Sequence, residues 1–171
     1  MPCTQTLAGI ARDCAANVGG IKAVYMANFE DVVGVAVTTD VVTGITIGTG
    51  KKFYTYNFNP NTSSFTTTVQ ANRENGTLYF ESVLSLVFPK QDAAKRLEVN
   101  ALAQAGLMAI VQDNNDNYWL LGKDEPLLMT TGAAPTGTAR ADRNGYELEF
   151  TDGQRQMPYT VDPAIIPDLI A

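Results

Sequence analysis

One stretch restricts this fold more than any other. From Pro89 to Gly122 the sequence reads PKQDAAKRLEVNALAQAGLMAIVQDNNDNYWLLG, and it holds the only segment with convincing helical character. Pro89 blocks helix before it, and Asp92 stands where a negative charge favours a first turn. Asp92 is spaced to pair with Lys95 and Arg96, three and four positions on. Ala94, Leu97, Ala101, Leu102 and Ala105 recur near helical spacing. That spacing predicts an apolar stripe packed on a sheet, with Lys95, Glu98 and Gln104 facing away. Gly106 is placed to stop the helix. The period then changes: Leu107 to Gln112 is a short apolar run, Asp113 to Asn117 is all turn-formers, and Tyr118 to Leu121 is apolar again. A helix is followed by a hairpin.

Nearly all the rest reads as strand. Ile21 to Ala27, Val32 to Thr39 and Val41 to Ile47 are rich in β-branched and aromatic residues, with Gly44 marking a weak point or a bulge. Lys52 to Phe58 alternates, with Tyr54, Tyr56 and Phe58 on one side and Phe53, Thr55 and Asn57 on the other. The clearest signal is a hairpin. Phe65, Thr67, Val69 and Ala71 share one face, Asn72 to Gly76 turns the chain, and Leu78 to Phe88 returns. At about 3.3 Å per residue the return strand spans about 36 Å, longer than the usual 5–6 residues, so the hairpin is expected to project beyond its domain. Leu127 to Thr131 reads as a short strand. Tyr146, Leu148 and Phe150 alternate with Glu147, Glu149 and Thr151, and Asp152-Gly153 reads as a turn toward Tyr159 to Val161. Pro163 and Pro167 keep the tail from forming a long regular element. The expected organisation is an arm over residues 1–20, a β-rich domain over 21–161 and a tail over 162–171. The expected class is mainly β, a sandwich or barrel with one packed helix.

Charge and residue usage narrow the function. The net charge is −6, and the densest basic groups are only Lys51-Lys52 and Lys95-Arg96. Tight nucleic-acid binding needs clustered Lys and Arg, so that class is disfavoured. There is no His at all. That removes the commonest general base and the usual Ser-His and Cys-His pairs. Cys3 and Cys14, the two cysteines, are expected as free thiols. No apolar run reaches the length of a membrane span, and no signal peptide is visible in the first residues.

The remaining motifs favour plain readings. Asp113, Asn115 and Asn117 match the first positions of a calcium loop and Asp124 the twelfth, but Tyr118 stands where glycine is required. A hairpin turn explains them. Glu147 and Glu149 share a strand face, with Glu81 on another strand, as solvated residues of a polar face. Gly48 to Lys52 lacks the spacing of a phosphate loop. Asn61-Thr62-Ser63 and Asn75-Gly76-Thr77 are ordinary turns that happen to match a glycosylation sequon. No catalytic constellation emerges, and no enzyme, cofactor or metal is expected.

The strings IVQDNNDNYWLLG and RADRNGYELEFTDG, one helix after a long hairpin, and an acidic, His-free composition together resemble the virion structural proteins of tailed bacteriophages. The likeness is greatest to tail tube subunits. It runs from Ile21 to Val161 and does not reach CTQTLAGIARDC near the N-terminus. The resemblance implies a β-barrel or sandwich with one helix, hexameric rings stacked into a tube, and a lumen through which DNA passes without adhering. It implies self-association and contacts with other virion proteins, in a protein made in the host cytoplasm and resident in the tail. Phe65, Val69, Arg73, Glu74 and Asn75 on the hairpin, and Ile165, Ile166, Leu169 and Ile170 on the tail, are the expected inter-subunit contacts. The tail's four apolar residues are expected as an exposed patch on a monomer. A head-tail connector, a capsid decoration protein and a carbohydrate-binding sandwich are the alternatives.

Overall fold

The run from Leu107 to Val111 shows no alternation because both of its faces are covered. The computed structural model describes residues 6–171. Their strands are β1 (Ile21–Asn28), β2 (Val32–Thr38), β3 (Val41–Ile47), β4 (Tyr54–Tyr56), β5 (Ser64–Asn72), β6 (Thr77–Pro89), β7 (Leu107–Asp113), β8 (Tyr118–Leu121), β9 (Leu128–Ala133), β10 (Gly145–Gln154) and β11 (Tyr159–Val161). The helices are α1 (Ala93–Gln104) and a four-residue turn, α2 (Ile166–Leu169). One sheet has seven strands in the order β2-β3-β11-β8-β7-β1-β4, and the other has four in the order β5-β6-β10-β9. The class is mainly β, a two-sheet sandwich-like fold with one main helix, as the strand patterns indicate.

Alternation in the central strands divides the core. Val24, Met26, Leu107, Ala109, Val111 and Leu121 point toward the four-stranded sheet, where Leu84, Leu86, Phe88, Tyr146, Leu148 and Phe150 meet them. Ala27, Met108, Ile110 and Leu120 point the other way, onto Val42, Phe53, Val161, Ile166 and Leu169. A strand buried on both faces reads as a continuous apolar run, which is what Leu107 to Val111 is.

The long hairpin forms in the expected register. Phe65 pairs with Leu84 and Val69 with Phe80, so each pair shares a face. Its loop is Arg73 to Gly76, and Asn72 Oδ1 accepts from the backbone N–H of Glu74 and of Asn75 at 3.0 and 3.1 Å. The next strand, β10, follows β6 only as far as Phe80. Beyond it the hairpin tip runs unsupported, and Val69, Leu78 and Tyr79 are exposed there. Opposite Gly44 the β2–β3 register shifts between Ala36 and Val37, which is the bulge that the glycine marks.

Four expectations need correction. The strand containing Tyr146 does not turn at Asp152-Gly153 but continues to Gln154, because buried donors receive the Asp152 carboxylate. The short strand after Pro126 begins at Leu128 and continues to Ala133, two residues past the expected end at Thr131. The tail is not an exposed patch. Ile166 and Leu169 are buried on the seven-stranded sheet, and Ile165 and Ile170 are half-buried beside them. Backbone bonds from Phe53 N to Leu169 O and from Ala171 N to Phe53 O, each 2.9 Å, fasten it there.

The fourth correction concerns α1. Asp92 caps it as its position suggests, its carboxylate accepting from Lys95 N at 2.8 Å, and Lys95 Nζ lies 3.6 Å from it; Arg96 forms no ion pair among the described residues. Leu102 and Ala105 of the expected stripe do turn inward, joined by Val99, but Ala94, Leu97 and Ala101 are exposed, Leu97 at 69%. Lys95 reaches inward to donate to the carbonyl of Pro89, which draws its aliphatic stem onto the buried side. Leu102→Ala is therefore expected to cost about 2–5 kcal/mol, the range for a buried leucine. Leu97→Ala is expected to stay within about 0.5 kcal/mol, the surface range. Urea denaturation of the two variants checks the order.

Candidate functional site

A concavity lies where the short strand β4 leaves room beside α1. It is a groove of about 390 Å³ floored by Tyr56, Phe88, Leu102 and Tyr146, with Tyr54, Lys95, Glu98 and Val99 around the rim. The alternation seen at Lys52 to Phe58 sets up this wall. Phe53 turns into the far core, while Tyr56 and Phe58 turn toward the helix side. Tyr56 and Phe88 meet with ring centroids 6.2 Å apart at 56°. The Tyr56 hydroxyl donates to Glu98 Oε1 at 2.5 Å. Burial, then the adjacent Glu98 carboxylate, push the Tyr56 phenol well above its ordinary pKa, so it remains a donor. Lys95 and Glu98 therefore line the groove, contrary to the outward direction expected for them. The signal for it lies in the alternation of Tyr54 and Tyr56 and in Leu102 of the expected stripe, whereas Lys95, Glu98 and Val99 carry no such signal.

A second cluster is polar and closed. Asp152, 4% exposed, sits between the sheets. Its carboxylate accepts from Gly122 N at 2.7 Å, Ser82 N at 3.2 Å and Gln154 Nε2 at 3.2 Å. Gln154 in turn accepts from Asp124 N and donates to the carbonyl of Glu125, each at 2.8 Å. Ser82 belongs to one sheet and Gly122 follows the other, so the carboxylate ties the layers together. Gly122 has φ +75°, and a Cβ there would lie 2.6 Å from the carbonyl oxygen of Leu107. Only glycine fits the turn that aims its N–H at Asp152. Burial raises the Asp152 pKa despite these donors.

The sequence motifs fall as follows. Asp113 closes the β7–β8 turn by accepting from Asn115 N, Asn117 N and Trp119 Nε1 at 2.9, 2.9 and 3.0 Å. Burial pushes its pKa up, and these donors more than offset it, leaving it below the usual range. The carboxylate is engaged as a turn element, and no group of His, Cys, Asp and Glu among the described residues is arranged to hold a metal. Glu147 and Glu149 stand on the outer face of β10, Glu147 paired with Arg143, and Glu81 accepts from Gln70. They form no enclosed pair. Cys14 is exposed, and Cys3 lies outside the described residues.

The expected contact residues separate into two groups. Val69, Arg73, Glu74 and Asn75 are exposed at the hairpin tip. Phe65, half-buried, packs on the core between the sheets, its ring 6.3 Å from Trp119. Ile165, Ile166, Leu169 and Ile170 belong to the core on the opposite face of the seven-stranded sheet. The structure does not bring hairpin and tail together.

Asp152 generates a prediction with a defined sign. Its folded pKa lies above its unfolded one, so from about pH 4 upward the native form retains a proton that the unfolded chain has released, and stability falls as pH rises through that window. Asp152→Asn keeps an acceptor without the charge. Its melting temperature is expected to gain on that of the parent between pH 4 and pH 7. Asp152→Ala leaves Gly122 N and Ser82 N unsatisfied and is expected to cost about 2–4 kcal/mol at either pH. Thermal melts of the three proteins across that range check both.

No family model matches the sequence, and no match was found among curated proteins or among solved structures.

Proposed function

We propose that this chain is a structural subunit of a tailed-phage virion that assembles into stacked rings, forming a tube through which DNA passes. The observation that carries this reading is the state of the sheet margins. Strand β2 is an edge of the seven-stranded sheet and reads VVGVAVT, seven residues without a charge, with Val33 74% exposed. Edges of that composition pair readily with other strands unless covered. The β5–β6 hairpin meanwhile extends past its neighbour and presents Val69, Leu78 and Tyr79 to solvent. Distinct surfaces at two places on one subunit suit a head-to-tail contact, which closes into a ring when its rotation permits. The net charge of −6 and the outward Glu81, Glu147 and Glu149 suit a lumen that repels DNA. The buried tail is no longer part of the proposed contact.

Electron microscopy of the purified protein at high concentration tests the reading. Stacked rings or tubes are expected. Single rings that do not stack favour the connector, and capsid-bound copies favour decoration. Val33→Lys and deletion of 73–75 are each expected to abolish rings while leaving the melting temperature within a few degrees. A protein that stays monomeric at all concentrations overturns the assembly claim.

A further inference from the structure

Residues 6–18 are exposed throughout and adopt no regular secondary structure. They nonetheless carry Leu7 at 91% and Ile10 at 102% exposure. Thr6 to Ala11 contains no charge, and Arg12-Asp13 follows directly. A stretch of this kind enters an apolar site without desolvating a charge and then places one positive and one negative group at its rim. The groove between β4 and α1 has the complementary form. Its floor is aromatic and aliphatic, its rim holds one cation, Lys95, and one anion, Glu98, and past the tail's bonds to Phe53 no strand among the described residues continues along the outer edge of β4.

We infer that the segment Thr6–Asp13 of one copy docks in the β4–α1 groove of a second copy. The anchoring of the arm favours a second copy over its own groove. Val18 N donates to Asn115 Oδ1 at 2.9 Å, Asn114 Nδ2 donates to the carbonyl of Gly19 at 2.7 Å, and Asn114 N to that of Gly20 at 3.2 Å. These bonds hold the arm against the β7–β8 turn, on the β7 side of β1. The groove opens on the other side of β1, beyond β4. Docking within one chain would require the arm to reverse at the two glycines that Asn114 secures. Extended, the residues from Thr6 to Ala16 reach about 36 Å at about 3.3 Å each, enough to cross to a neighbour. Docked, Leu7 and Ile10 lay their side chains on the aromatic and aliphatic floor of the groove. This contact is independent of the ring reading, since it requires only two copies.

Two variants and their mixture test the inference. Leu7→Asp with Ile10→Asp removes the apolar arm, and both side chains are free of the fold. Tyr54→Arg obstructs the groove at a residue that is 56% exposed. In a Val33→Lys background, which removes the proposed ring contact, light scattering at high concentration is expected to show self-association with arm and groove intact and its loss in each variant, with unchanged melting temperatures. Mixing the two variants leaves one intact arm and one intact groove, so a one-to-one dimer is expected. Association that survives either variant overturns the inference. So does a parent that is monomeric, or an oligosaccharide that binds the groove while arm changes leave association intact. Rings in the parent together with a Val33→Lys protein that is monomeric overturn this inference and leave the ring reading standing. Arm-dependent dimers or fibres in a parent that forms no rings do the reverse.

Discussion

The architecture follows from one constraint: the central strands β1, β7 and β8 are apolar on both faces and need two covers. The four-stranded sheet supplies one, bringing Leu84, Leu86, Leu148 and Phe150 against Val24, Ala109 and Val111. No further sheet among the described residues supplies the other. Instead the β2–β3 hairpin and the tail close over Ala27, Met108, Ile110 and Leu120. This gives the tail its task. Pro163 and Pro167 prevent it from adding a long strand, but two short helical turns are enough to seat Ile166 and Leu169, and Asp162 caps the first by accepting from Ala164 N at 2.9 Å. Apolar side chains on a chain end are as well explained by a face that lacks a covering sheet as by an interface.

Two facing sheets held by apolar contacts alone have little to fix their relative position, since hydrophobic burial is non-directional. Asp152 supplies direction. Its acceptors meet N–H groups from both layers, and Gln154 extends the network to the loop at Asp124 and Glu125. A buried carboxylate is costly unless its lone pairs are engaged. Here they are, and the buried polar side-chain atoms among the described residues all have partners. The cost survives only as the raised pKa, so the polar tie is a position-fixing feature whose benefit declines with rising pH.

Much of this was legible in the sequence, and the failures have physical causes. Strict alternation sets the faces of β5, β6 and β10 and the register of the β5–β6 hairpin, because a one-residue slip would turn Phe65 and Leu84 out of the core. The helix was half legible because alanine is ambiguous. Ala94, Leu97 and Ala101 of the expected stripe face solvent, whereas Leu102 and Ala105 do pack inward, joined there by Val99, and Lys95 hides that face by burying a stem and hydrogen-bonding its amine to a carbonyl. Asp-Gly at 152–153 failed because its turn preference is local, whereas the donors that keep Asp152 in a strand lie at Ser82 and Gly122, far away in sequence. The groove was half legible: one wall is an alternating strand, and the other depended on the misplaced helix face.

The free margins of the sheets differ in a way that bears on association. Strand β5 presents Ser64, Thr66 and Thr68 on its outer face, hydroxyl side chains that water satisfies readily. Strand β2 offers valine, glycine and alanine, and its defence against indiscriminate pairing is geometric. Register shifts at Val32/Gly34 and at Ala36/Val37 twist it away from a flat edge. A bulged apolar edge rejects most strands but accepts one shaped to it. Charge would have rejected all partners equally, and its absence from β2 leaves selectivity at that edge to shape.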